Sequence, residues 1–229
     1  MKTVYVGGVK INCGKREELL LGARALVGRG GCIFTPNPAI LSLAEENAEY
    51  KRVLNLADMN IPDGVGVKYI LKRRGVFTDV FPGVELGELL VCGNRFAIIG
   101  GVEGRAELAG KRLCESNPNA RFCFAHAGYG YDEEYLKKRI RECDADICFV
   151  CLGAPWQELL AHRLYRAVPK TLFIALGGSV DVYSGAVKRA PRIMRRLSLE
   201  WLYRCIKEPR RIRRLPGAFS FFIREFFTD

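Results

Sequence analysis

Short apolar runs alternate along most of the chain with longer segments of helical periodicity. Runs rich in β-branched and aromatic residues predict strands over residues 4–9, 32–35, 59–61, 96–100, 122–127, 147–152 and 171–176. Apolar positions three and four residues apart predict helices over residues 15–27, 38–46, 65–74, 86–92, 105–116, 133–142 and 156–167. This alternation predicts an α/β fold, in which Rossmann-like βα units form a mostly parallel sheet covered by helices.

The pattern and the charge both change after Asp181. Residues 188–229 carry twelve Lys or Arg against four Asp or Glu, a net charge of +8, out of +11 for the 229-residue chain. Five phenylalanines fall within residues 219–227, where helical spacing predicts an apolar face that could meet a membrane or pack on the protein's own core or a partner subunit. We predict an α/β domain over residues 1–187 and a small, basic, aromatic helical appendage over residues 188–229. Its charge calls for an anionic partner, which could be a membrane surface, a phosphorylated substrate or nucleic acid.

The cysteines and the apolar runs bear on the compartment. Nine cysteines are scattered along the chain, and the pair Cys148 and Cys151 lies inside an apolar run, which predicts buried thiols and no zinc site. No run approaches the roughly 18 uncharged apolar residues of a membrane-spanning helix, and the first residues do not resemble a secretory signal. These features predict a cytoplasmic protein with free thiols.

Two loops that follow predicted strands hold candidate functional side chains, because ligands of parallel sheets bind beyond the carboxyl ends of the strands. Thr35 and Asn37 stand where a strand gives way to a helix, and Asn37 also fits an ordinary helix cap. Asp63 follows the next strand in a glycine-containing turn. It could accept a proton from an attacking hydroxyl, or it could cap the helix that follows.

Three further loops carry glycines at strand ends, at residues 100–104, 153–158 and 177–181. The first is an incomplete dinucleotide fingerprint, which argues against an NAD-dependent Rossmann protein. The motif Asp144-Ala145-Asp146 matches the D-x-D of many metal-dependent sugar transferases, but it precedes a strand and should lie at the opposite edge of the sheet. We therefore predict no bound metal and no cofactor.

Taken together, the loops resemble the WecG/TagA/CpsF family of glycosyltransferases. The similarity extends from about Cys32 to Leu215. The matching segments, in chain order, are Thr35-Pro36-Asn37-Pro38, Ala57-Asp58, Pro62-Asp63-Gly64-Val65-Gly66-Val67, Leu152-Gly153-Ala154-Pro155-Trp156-Gln157-Glu158, Gly177-Gly178-Ser179-Val180-Asp181, Lys188-Arg189-Ala190-Pro191, Leu199-Glu200-Trp201-Leu202-Tyr203-Arg204 and Glu208-Pro209-Arg210-Arg211.

The resemblance implies an inverting, metal-independent transfer of a sugar, often N-acetylmannosamine, from a UDP-sugar donor. The acceptor would be the 4-hydroxyl of N-acetylglucosamine on undecaprenyl diphosphate, in teichoic acid or other envelope polysaccharide synthesis. The general base would be Asp63, and residues 1–187 would form the catalytic domain. The substrate-binding positions would be Thr35, Asn37, Gln157 and Asp181, together with Gly100 and Gly153 of the glycine loops.

The resemblance also assigns a role to the appendage. Its arginines would bind the lipid diphosphate and an anionic membrane, which makes the protein peripheral at the inner face of the cell membrane. The arginines concerned are Arg204, Arg210, Arg211, Arg213 and Arg214. A nucleic-acid partner is the rival explanation of the basic segment, and it leaves the acidic and glycine loops without a role. Whether the chain forms a homo-oligomer is left open.

One segment departs from the family pattern. Where members usually carry Arg-Val-x-Gly followed by an Asp, this chain has Val80-Phe81-Pro82-Gly83 followed by Glu85, so the arginine is missing. If that arginine contacts the donor in family members, its absence here would change which donor the protein binds. UDP-glucose and UDP-N-acetylmannosaminuronic acid therefore stand as alternative donors.

Overall fold

A parallel sheet of six strands forms the centre of the structure, a computed structural model that describes residues 1–191, 193–194, 200–207 and 215–228. Its strands are β3 (Gly31–Phe34), β4 (Met59–Asn60), β5 (Arg95–Gly100), β6 (Arg121–His126), β7 (Ile147–Cys151) and β8 (Leu172–Ala175). They are arranged in the order β4-β3-β8-β7-β5-β6, and each neighbouring pair is parallel. The predicted α/β fold is confirmed.

The first residues form a separate antiparallel hairpin of β1 (Lys2–Val6) and β2 (Val9–Cys13). The prediction of one strand over residues 4–9 is therefore wrong. Gly7 and Gly8 both have positive φ, +57° and +75°, and a two-residue turn with positive φ at both positions reverses a strand of this twist. A run of apolar residues hides such a turn when the turn consists of glycine alone.

Helices cover both faces of the sheet. The helices named in the described part of the chain are α1 (Arg16–Arg24), α2 (Pro38–Glu46), α3 (Ala48–Leu56), α4 (Val65–Arg73), α5 (Gly83–Leu90), α6 (Arg105–Ser116), α7 (Glu133–Glu142), α8 (Trp156–Ala167), α9 (Ser179–Tyr183), α10 (Glu200–Lys207) and α11 (Leu215–Phe227). The predicted limits of α2, α6, α7 and α8 are confirmed. The sequence prediction missed α3, which Asn47 caps, and assigned the segment of α9 to a loop.

The pleat of the sheet divides the core into two layers. Along β8, Phe173 and Ala175 face the layer that includes α3, α4 and α8, while Leu172 and Ile174 face the layer that includes α1, α5 and α6. Side chains alternate in this way because successive residues of a strand point to opposite faces. Both faces of the sheet are thus buried. The candidate functional side chains lie in the loops at the two ends of the strands, which are called the carboxyl edge and the opposite edge.

The last helix, α11, packs against α2 and α4. Phe221 is 1% exposed and belongs to the main core. Arg74, the residue after α4, forms an ion pair with Glu225 of α11 at 2.8 Å. The predicted apolar face of residues 219–227 is therefore divided between two environments. Phe222 and Phe226 pack partly against the core, whereas Phe219, Ile223 and Phe227 line an exposed stripe at i, i+4 and i+8.

Candidate functional site

The loops after β3 and β4 are held side by side at the carboxyl edge of the sheet. The Ile61 N–H donates to the Phe34 carbonyl at 2.9 Å, and the Asp63 N–H donates to the Pro36 carbonyl at 3.0 Å. These bonds continue the pairing of the two strands beyond their ends. They place Asp63 directly beside the segment that carries Thr35 and Asn37. The sequence predicted these three residues for one site.

Asp63 lies in the turn before α4 without occupying the N-cap position of that helix. The N-cap is Gly64, at φ +79°, and it makes no side-chain capping bond. A glycine is needed there because L side chains rarely adopt this conformation. The N-cap position that the sequence left open for Asp63 is thus occupied by its neighbour. An aspartate on a turn at this edge is suited to proton transfer with a bound hydroxyl.

Thr35 and Asn37 are largely committed to the framework of the site. Thr35 is buried, and its hydroxyl donates to the Ala175 carbonyl of β8 at 3.4 Å. The Asn37 Oδ1 accepts from the N–H groups of Ala39 and Ile40 at 3.0 and 3.1 Å, which caps α2. Within the described residues, the amide nitrogen of Asn37 has no hydrogen-bond partner, so it remains available to a ligand.

Gln157 connects the loops that follow β7 and β8. Its Oε1 accepts from the N–H groups of Gly153 and Gly177 at 3.1 and 2.8 Å, and its Nε2 donates to the Glu158 carboxylate at 2.7 Å. The side chain is 3% exposed. Gln157 therefore positions two neighbouring loops of the site through internal bonds, and its direct contact with a substrate stays a prediction.

The two glycines predicted for the site serve different purposes. A Cβ at Gly100 would lie 2.3 Å from the Cys151 carbonyl oxygen, so the end of β5 approaches β7 too closely for any side chain. Gly153 has φ +84° with open space around its Cα, and its N–H is held by Gln157. Gly100 permits close packing of two strands, whereas Gly153 turns the chain at the site.

Asp181 forms an ion pair that the sequence did not predict. Its Oδ1 lies 2.6 Å from Nη1 of Arg105, the first residue of α6. Asp181 itself lies in the first turn of α9, where the helix dipole favours a negative charge. The pair joins the loop after β5 to the loop after β8. Nothing in the sequence distinguished Arg105 from other helix-surface arginines.

Two arginines converge on Glu85 in the first turn of α5. The Arg16 Nη2 lies 2.5 Å from one carboxylate oxygen, and Arg189 binds the other. The Arg16 guanidinium also lies 4.0 Å above the ring of Phe81. Burial opposes ionisation of Glu85, but hydrogen bonds from the two arginines outweigh it and lower the pKa of the carboxyl. Two guanidinium groups from distant parts of the chain thus lie near Val80, the position at which family members usually carry an arginine.

This arginine pair lies next to the predicted site and lines a large cavity. A Cβ at Gly83, two residues before Glu85, would lie 3.5 Å from the Thr35 hydroxyl. A cavity of about 850 Å³ extends from here between α5, α6 and α9. It is lined by Arg16, Glu85, Arg112, Val182, Tyr183 and Arg189, among others, and by none of the described residues that the sequence predicted for the site. The cavity also reaches Glu115, Ser116 and Asn117 at the end of α6.

The opposite edge of the sheet holds the D-x-D motif. The Asp146 carboxylate accepts from the Arg95 N–H at 2.7 Å, just before β7 begins. Across the described ranges, no group of three or more His, Cys, Asp or Glu side chains could hold a metal ion. Cys148 and Cys151 are buried in β7 as predicted, and burial raises the pKa of both thiols, that of Cys151 to about 12.

The predicted arginines of the appendage fall at the limit of what the structure describes. The backbone of Arg204 lies in α10, but its side chain is not described. Arg210, Arg211, Arg213 and Arg214 lie outside the described residues. None of the helices in the described ranges combines the length and the hydropathy that a membrane-spanning segment requires.

The fold and the site together define a class: an open α/β protein whose loops gather an aspartate, helix starts and arginines at the carboxyl edge of a parallel sheet. A family model described as "Glycosyl transferase WecG/TagA/CpsF family" matches residues 4–228. The chain belongs to this family, and the predicted resemblance is confirmed.

Relatives from Bacillus and Staphylococcus carry the name N-acetylglucosaminyldiphosphoundecaprenol N-acetyl-beta-D-mannosaminyltransferase. The one from Bacillus subtilis (strain 168) is 36% identical over 197 residues, which cover 81% of this chain and 75% of the relative. The one from Staphylococcus aureus (strain MW2) is 33% identical over 191 residues, 80% of this chain and 74% of the relative. A third, from Bacillus spizizenii, is 32% identical over 198 residues.

Proposed function

We propose that the protein transfers N-acetylmannosamine from UDP to the 4-hydroxyl of N-acetylglucosamine on undecaprenyl diphosphate, with inversion and without a metal. The names of the relatives support this acceptor and this transferred sugar. The observation that carries the proposal is the pair of hydrogen bonds that holds Asp63 beside Thr35 and Asn37 at the carboxyl edge of the sheet. The UDP donor follows from the family resemblance.

In the proposed reaction, the 4-hydroxyl oxygen of the acceptor attacks the anomeric carbon of the donor. The bond from that carbon to the UDP oxygen breaks, the diphosphate leaves with the electron pair, and the hydroxyl proton passes to the Asp63 carboxylate. A positioned general base of this kind contributes about 10²–10⁴-fold to the rate. Attack from the face opposite the leaving group inverts the anomeric centre.

The departing diphosphate requires positive potential, which the edge of the sheet can supply without a metal. The guanidinium groups of Arg16, Arg105 and Arg189 lie around the same loops, each paired with a carboxylate. Arginine forks match phosphate oxygens in geometry, and helix N-termini add partial positive charge. This arrangement supports the metal-independent version of the reaction.

We propose that the appendage holds the enzyme at the inner membrane surface, where a lipid-linked acceptor resides. The exposed stripe of Phe219, Ile223 and Phe227 lies on a helix whose Phe222 ring would lie 3.7 Å from a Cβ added at Gly66, three residues after Asp63. Exposed apolar side chains and a net charge of +8 over residues 188–229 both favour an anionic leaflet. Binding there would keep the site close to the acceptor.

A donor screen tests the proposal. The purified protein is given a soluble N-acetylglucosamine diphosphate-lipid acceptor with UDP-N-acetylmannosamine, UDP-glucose or UDP-N-acetylmannosaminuronic acid, and UDP release is measured with and without acceptor. We expect acceptor-dependent release with UDP-N-acetylmannosamine above all. Preference for another of these donors would reject N-acetylmannosamine as the transferred sugar, and no release with any of them would reject the proposed transfer as a whole.

Membrane attachment is tested separately by co-flotation with phosphatidylglycerol vesicles. We expect the wild type to float at low salt and less at high salt, because salt screens the basic segment. Replacing both Phe219 and Phe227 by Ser should reduce flotation without unfolding the protein, since both side chains are exposed. Equal flotation of the variant and the wild type would reject the role of the stripe.

A further inference from the structure

Two thiols face each other at the outer strand of the sheet. Cys123 lies in β6, the edge strand, and Cys143 is the C-cap residue of α7. Their sulfur atoms are 3.1 Å apart, with the Cys123 thiol donating to Cys143. Both residues are only partly buried. This contact has no part in the proposed sugar transfer.

The surroundings make the two thiols chemically unequal. The hydrogen bond from Cys123 lowers the pKa of Cys143 against the effect of burial, and the guanidinium groups of Arg95 and Arg139 lower it further. The pKa of Cys123 is raised by the same hydrogen bond and by burial. Of the two thiols, Cys143 therefore ionises more readily, and Cys123 lies at contact distance from it. A thiolate next to a second thiol is the arrangement of a redox-sensitive pair.

The remaining cysteines lack this arrangement. Five of the nine, Cys13, Cys32, Cys148, Cys151 and Cys205, are buried. Cys92 is exposed and Cys114 partly exposed, and neither has another thiol as a hydrogen-bond partner among the described residues. Oxidation by a small peroxide should therefore select the pair in β6 and α7.

We propose that Cys123 and Cys143 form a dithiol site that hydrogen peroxide converts reversibly into an intramolecular disulfide. The Cys143 thiolate attacks one peroxide oxygen, the O–O bond breaks, and the products are a sulfenic acid and hydroxide, which takes up a proton to give water. The Cys123 sulfur then attacks the Cys143 sulfur, the S–O bond breaks and a second water leaves. Two thiols are oxidised by two electrons in total, and one peroxide is reduced to two waters.

The bridge would connect the edge strand to the end of the helix that precedes β7. It would close a segment of 20 residues that includes all of α7. Because a disulfide restricts the unfolded chain, we expect the melting temperature to rise by about 5–10 °C on oxidation. Cys143 lies beside Asp144, at the edge opposite Asp63, so turnover should change little.

The test uses the full-length reduced protein, exposed to a small excess of hydrogen peroxide and then blocked with N-ethylmaleimide. Free thiols titrated in denaturant should fall from nine to seven, and dithiothreitol should restore them. Digestion with trypsin together with a protease that cleaves before aspartate separates Cys143 from Cys148, because Asp144 and Asp146 lie between them. Mass spectrometry should then identify a Cys123–Cys143 linked peptide.

Three variants make the outcome decisive. Cys123→Ser should stop at a Cys143 sulfenic acid that dimedone traps, Cys143→Ser should abolish the rapid thiol loss, and Cys92→Ser should behave as the wild type. The proposal is overturned if the linked peptide is absent, or if the wild-type pair reacts no faster than Cys92. It is also overturned if Cys123→Ser, folded by circular dichroism, yields no dimedone adduct at Cys143.

Discussion

The two edges of the central sheet both carry aspartates, but their surroundings differ. At the carboxyl edge, Asp63 sits on a glycine turn between loops that are bonded to one another. At the opposite edge, the Asp146 carboxylate bonds to the backbone N–H of Arg95 and fixes the start of two strands. If Asp63 is the base as proposed, the end of the strand on which an acid falls predicts its role better than the motif around it. In this chain, the D-x-D before β7 holds the framework together through Asp146.

The largest effect on the framework of the carboxyl edge should come from α11. Phe221 is fully buried between this helix and the body, so Phe221→Ala should lower the free energy of unfolding by about 3–5 kcal/mol, measured by urea denaturation. Phe219→Ala is the matched control, because Phe219 is 65% exposed and should change stability by less than about 0.5 kcal/mol. Equal losses in the two variants would contradict the packing of α11.

Gln157 tests how the loops at this edge are held. Replacing it with Met keeps the volume but leaves the N–H groups of Gly153 and Gly177 without their acceptor. We expect a loss of about 1–3 kcal/mol in stability and faster hydrogen exchange at these two amides. Gln157→Ala should lose at least as much. Wild-type exchange at both amides in the Met variant would show that the loops hold without the bridge.

At the opposite edge, the effects should be confined to stability. Asp146→Asn weakens a charge-assisted bond to the Arg95 N–H and should cost about 1 kcal/mol, with kcat unchanged. Asp144→Asn is the control, since Asp144 has φ +48°, a conformation that Asn tolerates. Excess EDTA should leave turnover unchanged. A large loss of turnover that Mg²⁺ or Mn²⁺ restores would instead indicate that the D-x-D holds a catalytic metal ion.

The smallest expected effect concerns the pH dependence of Glu85. The pKa of this carboxyl is lowered in the folded state, so its ion pairs add stability above about pH 4.3, where a free glutamate titrates. This contribution is lost as the pH falls through the lower folded-state pKa. The stability difference between the wild type and Glu85→Gln should therefore be largest near neutral pH and shrink in acid. If this stability difference stays the same between about pH 3 and about pH 7, the folded protein does not favour the ionised form of Glu85.

The features that were predicted correctly from the sequence are those that depend on a local pattern of residues. Helices α2 and α7 begin after Asn37 and Asp132, whose side chains cap them, and such caps can be identified from neighbouring residues. The position of Asp63 at the carboxyl edge also followed from its place after a strand. These features need no knowledge of distant contacts.

The parts that were missed depend on residues far apart in the chain. Arg16 and Arg189 meet Glu85 across 69 and 104 residues, and Arg105 meets Asp181 across 76. No spacing rule indicates such pairs, because each arginine looks like an ordinary helix-surface or tail residue. Core packing was left open for the phenylalanines of α11, but Phe221 could not be singled out, since the helical pattern of this helix is apolar on more than one face.

The central claim, that chemistry takes place at the carboxyl edge with Asp63 as the base, is tested most directly by the turnover of Asp63→Asn in the UDP-release assay. The account predicts a loss of about 10²–10⁴-fold in kcat, with UDP affinity and melting temperature close to the wild type. Asp144→Asn, the same acid-to-amide change at the other edge, should retain full turnover. If Asp63→Asn keeps more than about a third of the wild-type rate, where general-base loss predicts a hundredth or less, the assignment of the base is wrong.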